Sequence, residues 1–145
     1  MANYKKINIL SSSEAAYIVG LIDGEGTISL TRKHRNENRQ LVLSISNNER
    51  CLLEYVLNAI GVGKITSKKT YQTQHQPSFA YAVSNRQALS LLEQIVNYLQ
   101  SYKKARAELV LEKYVKLTPR NGKYSVELVN KREQFIKTFF QLVPS

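Results

Sequence analysis

The sequence predicts an α+β fold: an antiparallel sheet with helices packed on one of its faces. Three observations point there. Apolar and polar residues alternate with period two in four short stretches that fall into two pairs. Each pair is followed by apolar residues at helical spacing, a weak internal repeat of hairpin and helix. No Ser/Gly/Pro-rich linker and no low-complexity tract divides the 145 residues, so they read as one domain, 1–145, with a core over about 13–117 and a helical C-terminal extension over about 118–145. The uncovered sheet face would be open to a ligand.

The first helix is expected over 13–24. Ser12 or Ser13 can cap it, Glu14 suits its electropositive first turn, and Leu21 and Ile22 give it apolar character. The stretch 27–33 alternates as a strand, 34–39 is a polar loop, and 40–46 is a second strand with Leu41, Leu43 and Ile45 on one side. Ser46 and Glu49 have the spacing of a capping box. The helix they would open carries Leu52, Leu53, Val56, Leu57 and Ile60, and Gly61 and Gly63 stop it. Strands 64–68 and 78–83 follow, joined by a glutamine-rich turn. Asn85 can cap a helix with Leu89, Leu92, Ile95, Val96 and Leu99. A further helix covers 103–117, ended by Pro119 and Gly122, and a last one covers 126–142.

Charge gives the first functional indication. The net charge is +10 with a pI near 9.8, which favours a polyanionic partner. The surplus is uneven: between Gly61 and Arg106 stand Lys64, Lys68, Lys69, Arg86, Lys103, Lys104 and Arg106 against the single acid Glu93. One cysteine, Cys51, excludes an internal disulfide framework and a thiolate zinc site. His34 and His75 lie far apart in polar surroundings and read as solvated loop residues. No apolar run is long enough to span a bilayer, so no membrane partner is expected, and the N-terminal residues lack the pattern of a secretory signal.

Ala16, Gly20 and Gly24 recur every four residues and share one face of the first helix. Such a ridge lets another helix approach closely; packing against the chain's own helices is the alternative. Asp23 and Glu25 end the ridge, where a helix dipole opposes negative charge, so a cation or a partner helix is needed to compensate them.

The stretch 18–26 resembles the LAGLIDADG motif of homing endonucleases, matching at Gly20, Leu21, Ile22, Asp23 and Gly26. Val19, Gly24 and Glu25 replace alanine, alanine and aspartate. The stretch 59–63 resembles the family's turn into its second hairpin, and 103–111 the basic segment that opens a late helix; together the resemblance covers about 14–115. It implies a saddle-shaped four-stranded sheet laid along the DNA major groove. One motif per chain implies a homodimer and a near-palindromic target.

The resemblance also implies roles. Glu25 corresponds to the acid that binds the catalytic divalent ion, usually Mg²⁺, with Mn²⁺ or Ca²⁺ able to substitute in binding. The Gly24 carbonyl corresponds to a backbone ligand. Asp23 corresponds to a mainly structural acid that helps to tie the paired helices, with a cap without chemistry the preferred reading of it, and Ala16, Gly20, Leu21, Asp23 and Gly24 correspond to the dimer contact. Lys103 corresponds to the basic active-site residue, with a plain phosphate clamp as the alternative. Asn47 is the nearest match to the residue that positions water, with helix capping as the alternative, and Arg50 is a candidate second base.

Base contacts are expected from the strand face opposite the core: Thr27, Ser29, Thr31 and Lys33; Gln40, Val42 and Ser44; Lys64, Thr66 and Lys68; and Ser78, Ala80 and Ala82, because Phe79, Tyr81 and Val83 point inward. Arg32, Arg35, Arg39, Lys69 and Lys104 are expected at phosphates. The function so implied is a metal-dependent, intron- or intein-encoded endonuclease that cuts double-stranded DNA in a prokaryotic cytoplasm or an organelle. An intron RNA maturase, a non-cleaving DNA-binding protein and a basic structural domain are the alternatives.

Overall fold

Ser11 opens the first helix: its hydroxyl accepts from the Glu14 N–H at 3.1 Å, and the Glu14 carboxylate accepts from the Ser11 N–H at 2.8 Å. This reciprocal capping box starts α1 (Ser12–Glu25) one residue before the expected span, because Ser11 rather than Ser12 or Ser13 takes the cap. The computed structural model describes residues 5–68 and 77–145, with only the backbone of Lys68. Lys69 and His75 lie outside the described residues.

The strands are β1 (Gly26–Thr31), β2 (Gln40–Asn47), β3 (Lys64–Lys68) and β4 (Ser78–Ser84). They form one antiparallel sheet in the order β1-β2-β4-β3. β1 stops at Thr31, so Lys33 belongs to the loop and not to the strand expected there. The helices are α2 (Arg50–Ile60), α3 (Asn85–Ile95), α4 (Tyr102–Lys113) and α5 (Val126–Gln141).

Three expected boundaries are corrected, the first two by strand pairing of β2 with β4. The Ser46–Glu49 box does not open α2: β2 stays paired with β4 through Asn47↔Phe79, and Glu49 becomes the N-cap without a side-chain bond. Ser84, not Asn85, is the N-cap of α3. Asn85 takes a left-handed φ of 53° while its Oδ1 accepts the Tyr114 hydroxyl at 3.0 Å. α4 ends at Lys113 instead of 117, and a turn carries the chain on to 118.

All the helices contribute to one core. Ile18 and Ile22 of α1 meet Ile28, Leu30, Leu41, Leu43, Ile45, Tyr81 and Val83 from the sheet, with Leu53, Val56, Leu91, Leu92 and Val110 around them. Phe135 and Phe139 bring α5 into the same cluster. The free edge of β1 is occupied: Arg106 Nη1 donates to the Ile28 carbonyl at 2.9 Å and Arg39 Nη1 to the Leu30 carbonyl at 3.0 Å. Unpaired edge carbonyls invite another strand, so these arginines direct the sheet's outward contacts to its face. Among the described residues no helix is long and apolar enough to cross a membrane.

Candidate active site and nucleic-acid interface

The site is built where α1 turns into β1. A Cβ on Gly26 would lie 2.7 Å from the Ile22 Cα and 3.1 Å from the Ser44 carbonyl oxygen, so only glycine passes this corner. Glu25 is therefore the last helical residue and is exposed at the lip of the sheet. Asn47, at the end of β2, donates from Nδ2 to Glu25 Oε2. Its Oδ1 accepts the Glu49 N–H at 2.8 Å, which fixes which end of the amide faces the carboxylate. The two residues matched 22 positions apart are thus brought together.

Asp23 turns the other way. Its carboxylate accepts from Ser101 Oγ at 2.5 Å, from the Gln100 N–H at 3.0 Å and from the Ser101 N–H at 3.2 Å. Burial alone would raise its pKa; the hydrogen bonds from Ser101 and Gln100 and the Lys103 charge outweigh that and hold it below 3.8. These contacts lie within the chain: Asp23 holds the Gln100–Ser101 segment that leads into α4, whose own N-cap is Ser101, the capping kind of role expected of it. Gln100 and Ser101 were not singled out from the sequence, although a serine just before the basic helix is a usual N-cap signal.

Lys103 is not a free phosphate clamp. It is only 6% exposed, and its Nζ donates to the Ile22 carbonyl at 2.7 Å and the Asp23 carbonyl at 3.0 Å. Burial lowers its pKa, the Asp23 charge opposes that, and nearby Arg106 adds to the lowering. Its ammonium stands one residue from Gly24. Arg50 is directed elsewhere: Nε lies 3.0 Å from Glu54 Oε1, and the guanidinium 5.4 Å from the Phe79 ring centre.

The small-residue ridge faces solvent. Ala16, Gly20 and Gly24 are exposed, and among the described residues a Cβ on either glycine would meet nothing within 4 Å. The chain's own core takes the opposite face of α1 through Ala15, Ile18, Val19 and Ile22. Leu21 is half-buried against that core.

Strand alternation holds across the open face, where the register forms rows: Thr31 with Gln40; Ser29, Val42 and Ser84; Thr27, Ser44, Ala82 and Lys64; Ser46, Ala80 and Thr66; and Ser78 with Lys68. No acid occurs in these rows. Arg35 and Lys33 are exposed in the β1–β2 loop, where Arg32 donates to the Arg35 carbonyl at 3.1 Å. Arg39 is tied to the edge of β1: its guanidinium holds the Leu30 carbonyl and stacks 5.1 Å from the Phe140 ring centre. Lys104 is half-buried at the start of α4.

The oxygens at the end of α1 fit a divalent ion of the Mg²⁺ type. Glu25 is an exposed carboxylate, already oriented by Asn47, beside the Gly24 carbonyl. Among the described residues no cluster of three or more His, Cys, Asp or Glu exists. A hard cation that keeps its waters and shares itself with phosphates needs only one or two protein oxygens, whereas a closed structural site would need more.

Comparison with known proteins follows the same lines. A family model described as LAGLIDADG endonuclease matches residues 18–118. The homing endonuclease I-CvuI, solved with its target in the presence of calcium, superimposes with a TM-score of 0.73 at 18% identity, covering 92% of this chain and 83% of that one. An archaeal intron-encoded homing endonuclease, I-Vdi141I complexed with DNA, gives 0.71 at 20% identity, covering 92% and 86%. The LAGLIDADG meganuclease I-AabMI bound to uncleaved DNA gives 0.63 at 25% identity, covering 84% of this chain and 43% of that one. No curated protein matches the chain. With its motif at the end of α1 and a family match over most of its length, this chain belongs to the LAGLIDADG endonuclease family.

Proposed function

We propose that this chain, as a homodimer, is a site-specific endonuclease that cuts both strands of a long, near-palindromic DNA target by metal-dependent hydrolysis. One observation carries the reading: exposed Glu25 stands where the small-residue ridge of α1 meets the acid-free face of the sheet. Two ridges packed together bring two Glu25 carboxylates to the dimer axis, one for each strand. The solved relatives that this chain resembles were captured on DNA, one with calcium present.

Each part of the chain has a distinct task. The sheet face lies in the major groove, where Gln40 suits adenine, Lys64 suits guanine, and Val42, Ala80 and Ala82 suit thymine methyl groups. Glu25 and the Gly24 carbonyl would hold Mg²⁺, with Mn²⁺ or Ca²⁺ able to take its place in binding. When bound, such an ion supplies Lewis acidity to the scissile phosphate and to an attacking water. Asn47 holds the carboxylate in one orientation. Lys103 offsets the negative end of the α1 dipole, which otherwise disfavours the Glu25 carboxylate.

The test is a randomised duplex library incubated with the purified chain and Mg²⁺, followed by sequencing of the cut products. A near-palindromic consensus is expected, and Glu25→Gln should abolish cutting while sparing binding. Tight, sequence-selective binding with no cutting in Mg²⁺ or Mn²⁺ would overturn the enzyme reading.

A further inference from the structure

At the end of the sheet remote from Glu25, a cavity of about 740 Å³ lies between the β1–β2 loop, the start of α3 and the segment leading into α5. Among the described residues its charged lining is four arginines, Arg39, Arg86, Arg120 and Arg132, against one acid, Glu37. The first two residues of α3, Asn85 and Arg86, line it too. That helix has no side-chain cap and no acid in its first turn, so its N-terminal N–H groups add to the positive potential. Arg86 stands where the dipole disfavours a cation.

Arg132 gives a second, independent sign. It is 4% exposed. Its terminal nitrogens donate to the Leu117 and Arg39 carbonyls and to Thr118 Oγ1, yet its buried Nε has no partner among the described residues. The ion pairs found among the described residues include none with Arg132. Its guanidinium lies 5.7 Å from the Tyr114 ring centre and 5.8 Å from that of Tyr124, and both rings line the cavity. A buried cation without a counter-charge, beside an uncapped helix N-terminus, favours an anion.

We propose that this cavity takes a phosphate of the DNA backbone just beyond the sheet contact, so that 118–124 and α5 join the DNA-binding surface. The inference rests on the DNA-binding reading above. Position favours a backbone phosphate over a free anion. Gln40 lines both this cavity and the groove over Thr31, Val42 and Lys64 on the open sheet face, and Glu37 and Asn38 line both as well. A duplex lying on that face runs past the mouth of the cavity.

The experiment uses the full chain, the duplex selected from the randomised library, and inorganic phosphate. R86Q/R120Q removes two of the lining cations and leaves buried Arg132 in place; circular dichroism checks that it folds. Phosphate is expected to raise the Tm of the wild type and not of the variant. Affinity for the duplex should fall about tenfold, and the slope of log K against log salt should become shallower by about one. Methylphosphonates in the flanking positions should weaken the wild type and leave the variant no weaker than before. R120Q alone, at an exposed position, should show a smaller loss of the same sign and serves if the double variant does not fold. If the wild type binds the duplex and the variants match it in affinity and slope, the inference is overturned, even where phosphate raised the Tm, because the cavity then takes only a free anion. If the wild type binds no duplex, the DNA-binding reading itself falls and this inference with it.

Discussion

Lys103 and Asp23 clasp two helix ends in opposite senses. The Lys103 ammonium sits on the last carbonyls of α1, and the Asp23 carboxylate holds the Gln100 and Ser101 N–H groups just before α4. Each charge opposes the dipole of the helix end beside it. The motif helix and the basic helix are thereby locked at the point where Glu25 emerges.

Lys103→Met tests the first half of the clasp. It keeps the aliphatic stem and removes the charged donor from one buried and one partly buried hydrogen bond to carbonyls. A loss of about 1.5–3 kcal/mol is expected, measured by urea unfolding. Cutting, assayed where the variant is fully folded, should fall by about 100-fold, because the α1 C-terminus then repels the Glu25 carboxylate. A variant with full turnover would leave Lys103 with a folding role alone.

Asp23→Asn tests the second half through pH. The native carboxyl titrates below its ordinary 3.8, so the unfolded chain binds the proton first as pH falls. The stabilisation is present above pH 3.8 and is lost as pH drops through the lower native value. Urea unfolding across about pH 2 to 5 should show this loss in the wild type and a flatter profile in Asp23→Asn. Parallel profiles would separate Asp23 from the acid sensitivity of the fold.

What could be read from the sequence and what could not divide along the range of the interactions. Strand faces were legible because the alternation of Leu41, Leu43 and Ile45 with Val42 and Ser44 is local, and the structure buries the first set while the second lines the open face. The exposed ridge was legible as spacing, but its exposure was not, since that depends on which face of α1 the core takes. The partners of Asp23 and Lys103 lie about 80 residues away and leave no local trace. The Ser46–Glu49 cap failed for the same reason: pairing of Asn47 with Phe79 in β4 outweighed a favourable local pattern.

Asn47→Leu isolates the orientation of the Glu25 carboxylate. The substitution removes the amide that holds Glu25 Oε2 and keeps the volume. Loss of an orienting neighbour of a metal ligand costs about 10–100-fold in activity or metal affinity. The expected outcome is a Mg²⁺ titration of cutting displaced to higher concentration, with DNA affinity in Ca²⁺ near that of the wild type. An undisplaced titration would assign Asn47 to the β2 turn alone.

Gly20→Leu and Gly26→Ala should separate assembly from folding. Among the described residues nothing lies within 4 Å of a Cβ on Gly20, so leucine there relieves the entropic cost of a mid-helix glycine by about 0.5–1 kcal/mol within one chain. The same side chain fills the ridge and keeps a second α1 from approaching. Sedimentation equilibrium should then find a monomer whose fold is intact and which cuts no duplex. Gly26→Ala acts inside the chain, because its Cβ meets the Ile22 Cα at 2.7 Å, and it should cost about 1–3 kcal/mol of stability. If Gly20→Leu stayed dimeric and active, the ridge would not be the interface, and two Glu25 carboxylates would have to be brought to the DNA by another surface.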